Sequence, residues 1–311
     1  MSLTVFVLRR LVATVLLVPG VMLVTFALLR GARGNPFEPP EGYPLLPAPS
    51  QRALEDYYHL DEPWLVEFAV YLKNVFTLDF GPSQVQRNLD VNAVMRESLP
   101  VTLELVLLAA ACAVPLGIGL GVLAATNRST AIDFAAVSAA SVLLVIPVFF
   151  VAFLLSEYLV VERHLFPPGW DTWKAKVLPS ITLALAPTGY IARLVRAAVV
   201  EQLEEDYVRT ARAKGLLWER ILWVHVLRNS LVPFVSAAAP MLALLITGAF
   251  FVEQLFRIPG VSSFFVEGAR TRDYSLLLGL TVALAIVVLV ANLIADVVLA
   301  AVDPRVREAK R

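Results

Sequence analysis

The groups able to do chemistry in this chain are few and scattered. One cysteine, Cys112, stands among Ala110, Ala111 and Ala113 in an apolar run. A single thiol makes no internal disulfide and no four-ligand zinc site, so it reads as a small buried apolar residue. His59, His164 and His225 lie far apart and outside the long apolar stretches, and none has the i, i+4 partner of a helical metal pair. Four carboxylates, Glu104, Glu157, Glu253 and Asp296, fall in or near those stretches. An ionised group is expensive there and counts as a functional candidate. Glu104, Glu157 and Glu253 sit close to stretch ends, within reach of an interface. Asp296 shares a helical face with Asn292, which favours a hydrogen bond between helices over a proton relay. No G-x-x-x-x-G-K-[ST] run is present, so the chain carries no P-loop. The expectation is no catalytic, metal or cofactor-binding residue in this chain.

The elements around these groups are those of a membrane protein. Of 311 residues 58% are hydrophobic and 17% charged, with a mean hydropathy of +0.73; a soluble domain carries about 25% charged residues. The formal net charge is zero, which gives no reason to expect nucleic acid as a partner. A hydrocarbon core of about 30 Å needs about 20 apolar residues as helix. Six stretches reach that length, approximately Leu11–Leu29, Leu99–Ala125, Phe134–Leu159, Val177–Val200, Leu231–Phe251 and Leu276–Val302. The first follows Arg9 and Arg10 but is longer than a signal-peptide core, and no small-residue cleavage pattern precedes Arg30 and Arg33, so a retained helix is predicted.

Charge sets the expected orientation. With the N-terminus inside, the cytoplasmic pieces hold Arg9, Arg10, Arg128, Arg209, Arg212, Lys214, Arg220, Arg228, Arg305, Arg307, Lys310 and Arg311. The outer pieces spread a similar number of basic residues over nearly twice the length, and acidic residues predominate there. Both termini are expected in the cytoplasm. Pro115, Pro147, Pro187, Pro233 and Pro240 each remove a helical hydrogen bond and are expected to kink the spans. Gly117 and Gly121 lie one turn apart and form a G-x-x-x-G close-packing face. The predicted order is an N-terminal span (1–30), an extracytoplasmic segment (31–98), a core of five spans (99–303) with a cytoplasmic loop at 201–230, and a tail (304–311).

In the outer segment, Gly34–Pro49 reads as an extended loop and a short helix is expected from Ser50. Asp61-Glu62-Pro63-Trp64 is a helix start signal. Trp64, Phe68, Tyr71 and Val75 then follow at helical spacing, ending near Asp79-Phe80-Gly81 with Gly81 as the expected C-cap. An interfacial helix, a small packed subdomain and a docking platform all fit that pattern. In the cytoplasmic loop, a helix is expected over Glu204 to Lys214, capped by Gly215. Glu204, Glu205 and Asp206 at its start and Arg209, Arg212 and Lys214 at its end suit the helix dipole. Tyr207 and Ala211 share a face adjoined by Thr210 and Lys214. The small residues Ala211, Ala213 and Gly215 would let another surface approach closely. A second helix is expected over Trp218–Leu227.

The run Asp206-Tyr207-Val208-Arg209-Thr210-Ala211-Arg212-Ala213-Lys214-Gly215-Leu216 resembles the cytoplasmic loop of bacterial ABC-importer permeases of the dipeptide/oligopeptide/nickel family, of the first-permease type. Arg209-Thr210-Ala211 stand where the general permease pattern has Glu-Ala-Ala, a departure shared by the peptide branch. Phe6 to Leu11, Gly34-Asn35-Pro36, Tyr58 to Pro63, Leu99 to Leu105, Val252-Glu253, Phe256, Pro259-Gly260, Arg272-Asp273-Tyr274 and Asp303 to Arg307 are similar to the family in the same order.

The resemblance implies an all-α type I ABC-importer permease fold with six transmembrane helices in the bacterial plasma membrane. It implies a homologous second permease, two cytoplasmic ABC ATPases that would hold ATP and magnesium, and an extracytoplasmic substrate-binding protein. Glu205, Asp206, Tyr207, Thr210, Ala211, Lys214 and Gly215 would form the ATPase-coupling helix. Glu253, Phe256, Pro259 and Gly260, where the fifth span breaks, are a candidate outer gate. Di- or oligopeptides are the expected substrates, with nickel chelates, glutathione or oligosaccharides as alternatives. A self-sufficient secondary transporter would be expected to show an internal repeat. An intramembrane enzyme would need a nucleophile–base pair within the spans. The sequence shows neither.

Overall fold

The computed structural model describes residues 3–31, 47–59, 62–86 and 89–302. The Gly34-Asn35-Pro36 run, the expected Asp61 cap and the 304–311 tail lie outside these residues. The described residues fold as helices α1 (Leu3–Gly31), α2 (Ala48–Tyr58), α3 (Trp64–Thr77), α4 (Val91–Thr126), α5 (Ala131–Val145), α6 (Val148–Leu155), α7 (Trp173–Leu203), α8 (Asp206–Ala213), α9 (Trp218–Arg220), α10 (Leu227–Ser230), α11 (Val232–Phe256), α12 (Val261–Thr271) and α13 (Tyr274–Val302). Wider π-helical turns follow α6 (Ser156–Glu162) and α9 (Ile221–Val226). Among the described residues there is no strand, only an isolated bridge between Pro82 and Asp90.

Among the described residues four helices are long and apolar enough to cross a membrane: Val7–Gly31, Val91–Thr126, Trp173–Leu203 and Tyr274–Leu299. Two bent pairs bring the number to six if each is one span. Val148–Glu162 turns 90° from Ala131–Val145, and Pro240–Phe256 turns 56° from Trp218–Ala237. The third expected span is therefore broken near its middle. Pro147 offers no N–H, and it holds Ile146 in an extended conformation at φ −70° and ψ 123°. Pro115 and Pro187, also expected to kink, lie inside α4 and α7 without ending them. Pro233 sits in the first turn of α11, where a missing N–H costs nothing. The second half of the loop also differs from expectation, being α9, a π-helical segment and α10 rather than one helix.

The chain divides into two compact units. The first comprises Leu103–Ile258 with Met1–Val7 and Ala291–Arg311. Its central element is α7, which starts at Thr172, whose side chain accepts from Ala175 N–H at 3.2 Å. Helices α5, α6 and α11 all pack on α7. Missing side chains make the closest approaches. A β-carbon on Gly189 would stand 2.3 Å from the Ala140 carbonyl oxygen of α5. One on Gly117 would stand 2.6 Å from Ile191 Cβ, and one on Gly121 2.6 Å from Ala192 O, both on α7. The G-x-x-x-G face of α4 thus packs within the chain.

Two ion pairs mark the ends of α7. Lys176 donates to Glu104 of α4 at 2.6 Å. Arg196 forks onto Asp133 of α5. Twenty residues of helix separate Lys176 from Arg196, about 30 Å and so about one hydrocarbon thickness.

The second unit comprises Leu8–Thr102 and Pro259–Val290. Met22, Phe26, Tyr58, Tyr71, Val75, Leu278 and Val282 form its core, with Phe68 and Leu72 against it. Helix α3 thus packs as part of a subdomain, although Trp64, expected on the same face, stays exposed. Its C-cap is Leu78 at φ 54° rather than Gly81. Tyr58 and Tyr71 stack with ring centres 5.5 Å apart. The Tyr58 hydroxyl lies 2.6 Å from Pro82 O and 3.1 Å from Phe80 O, and burial pushes both tyrosine hydroxyls well above their usual range. Glu67 accepts from Arg30, yet burial outweighs that cation and leaves the Glu67 carboxyl raised.

Asp273 is fully buried and organises the polar half of this unit. As the cap of α13 it accepts from Leu276 N–H at 3.2 Å. It also accepts from the Ser83 and Ser275 hydroxyls and from Gln84 N–H. Four donors thus satisfy one buried carboxyl group.

Candidate functional site

The loop between α7 and α11 presents the most distinctive surface of the first unit. The path turns at Glu205, which is extended at φ −69° and ψ 147°, before α8 begins. Alternating sides of α8 have different fates. Val208 and Ala211, three residues apart, are buried and packed towards the Ile221–Val226 segment. Glu205, Asp206, Arg209, Thr210, Ala213, Lys214 and Gly215 are exposed. Ala211, read from the sequence as part of the approachable small-residue face, is turned inward instead, so that the open small positions are Ala213 and Gly215. Tyr207 is partly buried and its hydroxyl donates to Gln202 Oε1 at 2.8 Å, tying α8 to the end of α7.

The end of α8 is fixed by backbone geometry. Gly215 has φ +75°, and its N–H donates to Arg212 O at 2.9 Å. Leu216 N–H reaches back to Ala211 O at 3.3 Å, completing the paired closure of a helix that ends in a left-handed residue. A β-carbon on Gly215 would meet nothing within 4 Å, so the space above it is open. The Arg212 guanidinium lies 5.1 Å from the Trp218 ring centre, which braces the turn. The result is a short, firmly terminated helix with a charged outer side.

The candidate gate residues fall in both units. Glu253 and Phe256 are buried near the end of α11 in the first. Arg257 ends that helix at φ 56°, and Ile258 N–H closes onto Glu253 O at 2.9 Å. The last carbonyls of α11 are taken up by the preceding connection: Ser156 Oγ donates to Leu255 O at 3.1 Å, and Gly169 N–H to Phe256 O at 3.0 Å. Pro259 and Gly260 belong to the second unit, where Gly260 precedes α12 and Val261 N–H donates to Thr102 Oγ1 at 3.0 Å.

Of the other carboxylates, Glu104 accepts from Trp170 Nε1 at 2.8 Å and from Lys176. Glu157 lines a cavity of about 430 Å³ with His164 and Arg257. Asp296 lies on α13. Among the described residues no group of three or more His, Cys, Asp or Glu side chains could hold a metal ion.

Sequence reasoning passed over Asp133, Arg196 and the capping role of Asp273. Thr130-x-x-Asp133 is a helix-start pattern that could have singled out the first, and Thr130 does cap α5. Its partner 63 residues away could not have been read from one sequence.

The fold has a solved counterpart. A chain of the methionine ABC transporter MetNI, in an inward-facing conformation, matches with a TM-score of 0.58 at 18% identity, covering 68% of this chain and 96% of that one. The class is therefore an all-α, multi-pass membrane protein with the type I ABC-transporter permease fold. The profile of binding-protein-dependent transport system inner membrane components matches residues 117–308. A dipeptide transport system permease of Bacillus subtilis is 38% identical over 93% of each chain. An oligopeptide transport system permease of Escherichia coli K12 is 36% identical over 97% of this chain and 99% of its own. The chain belongs to the family of inner membrane components of binding-protein-dependent transport systems, whose members are transport permease subunits working with ABC partner subunits.

Proposed function

We propose that this chain is one of two homologous permeases in an importer of di- or oligopeptides across a bacterial plasma membrane. The observation that supports this most is α8, a short helix held to the bundle by Val208 and Ala211 with its charged side open. In this reading α8 docks in a groove of a cytoplasmic ATPase through Glu205, Asp206, Thr210, Lys214 and Gly215, with Tyr207 at the edge and Ala211 supporting from behind. Two ATPase subunits hold ATP and magnesium and supply the energy, and an extracytoplasmic binding protein delivers the peptide. Both termini are cytoplasmic, and the chain itself catalyses nothing. Glu253, Phe256, Pro259 and Gly260 form the outer gate, because α11 ends there within a turn of Glu253.

The relatives named for dipeptide and oligopeptide transport favour peptides over nickel chelates, glutathione or oligosaccharides. Proteoliposomes give the test. Labelled trialanine should enter only when both permeases, the ATPases, the binding protein and ATP are present. Uptake by this chain alone would contradict the proposal and point to a secondary transporter.

A further inference from the structure

We infer that Asp133 and Arg196 form the link that makes α5 follow the movement of α8, a positioning pair for energy coupling. The inference rests on the reading of α8 as the ATPase-docking helix. Arg196 donates from Nε to Asp133 Oδ1 at 2.6 Å and from Nη2 to Oδ2 at 2.8 Å. Oδ2 also accepts from Ser129 N–H at 2.9 Å. The Asp133 side chain is only 8% exposed and that of Arg196 30%, so the pair is largely shielded. A two-pronged guanidinium–carboxylate contact fixes orientation as well as distance, which an ammonium could not do.

The position of the pair gives it consequences. Helix α7 is continuous from Arg196 to Leu203, and α8 begins at Asp206 after one turn. A displacement of α8 therefore reaches Arg196 along a stiff rod. Towards the middle of the bundle, Gly189 meets Ala140. Asp133 to Ala140 and Arg196 to Gly189 are equal steps in opposite directions, so α5 and α7 are joined at two points of one antiparallel seam. The glycine contact alone permits α7 to roll or slide against α5. The ion pair, two turns away, blocks both.

Two neighbouring features do not substitute for it. Arg128 and Glu204 also pair, but their side chains are 55% and 66% exposed, and such a contact in water adds little. The α5 N-terminus is capped by Thr130, and the Asp133 carboxylate keeps Ser129 N–H and a favourable place in the first turn without Arg196. The fork thus goes beyond what capping requires.

The test compares ATP hydrolysed per molecule of labelled trialanine imported by the reconstituted complex, together with the yield of assembled complex. Asp133→Asn and Arg196→Gln should each raise that ratio about fivefold, the scale of a coupling change in a side-chain network. A defect in folding alone would lower hydrolysis and uptake together and leave the ratio unchanged. Arg196→Lys, which keeps the charge but loses the fork, should fall between. The reversal Asp133→Arg with Arg196→Asp should bring the ratio back towards that of the native complex. An unchanged ratio in assembled single variants, or a reversal no better coupled than the single variants, would overturn the inference while the importer reading stood. ATP-independent uptake by the unaltered complex would overturn that reading and this inference with it.

Discussion

At Gly189 a β-carbon would stand 2.3 Å from the carbonyl oxygen of Ala140, whereas at Tyr58 a whole phenol ring is enclosed without exposed surface. The two compact units are held together by opposite means. In the first, helices approach through glycines and small residues, with ion pairs near the ends of α7. In the second, large aromatic side chains fill a core beside a buried polar network centred on Asp273. Lipid provides no hydrophobic drive between helices, so close contact and dispersion must do the work, and small residues maximise both. The second unit buries aromatic and polar groups together. Burying apolar area there is worth about 25 cal/mol per Å² where water is the alternative. Its buried polar groups must then find partners within the chain.

The largest expected effect tests the glycine side of this contrast. Gly189→Leu drives a side chain into the α5 backbone and should cost about 3 kcal/mol or more, with loss of the monodisperse protein in detergent. Gly119, on the opposite side of α4 from Gly117 and Gly121, is exposed and meets nothing within 4 Å, so Gly119→Leu should leave the melting temperature unchanged. Equal damage from the two substitutions would break the contrast. A smaller effect tests the polar side. Asp273→Ala strands the Ser83 hydroxyl proton and Leu276 N–H, leaves Gln84 N–H only its bond to Ser275 Oγ, and should cost about 2 kcal/mol. Its loss of hydrogen-exchange protection should concentrate at residues 83–86 and the start of α13. Deprotection spread evenly over α5 and α7 would show that the units are not separately stabilised.

Much of the fold could be read from the sequence because apolar length is a strong signal. The expected span Val177–Val200 lies inside α7 (Trp173–Leu203), and Leu276–Val302 nearly coincides with α13. The effect of each proline was not legible. Pro147 and Pro187 look alike in sequence, but α5 ends before the first and α7 continues past the second. What decides is whether neighbouring helices hold the chain straight, and that is a tertiary property.

In the loop, the position of α8 followed from its charges and from Gly215. Its buried side did not, since Ala211 could serve either surface, and only the packing of the loop turns it inward together with Val208. Asp273 stood in a run similar to the family, yet nothing local shows that it gathers donors from residues 83 and 84.

The docking role of α8 is the central claim, and Gly215 tests it most directly. The residue sits at φ +75° under open space, so Gly215→Ala adds backbone strain of about 1 kcal/mol and little bulk. Gly215→Trp adds similar strain and a large side chain on the proposed contact surface. In proteoliposomes with the partner ATPases, the tryptophan variant should reach the membrane at normal abundance and lose ATP-driven trialanine uptake. The alanine variant should keep most of it. Unaffected uptake in Gly215→Trp would contradict the assignment of α8 as the helix through which ATP hydrolysis is coupled to transport.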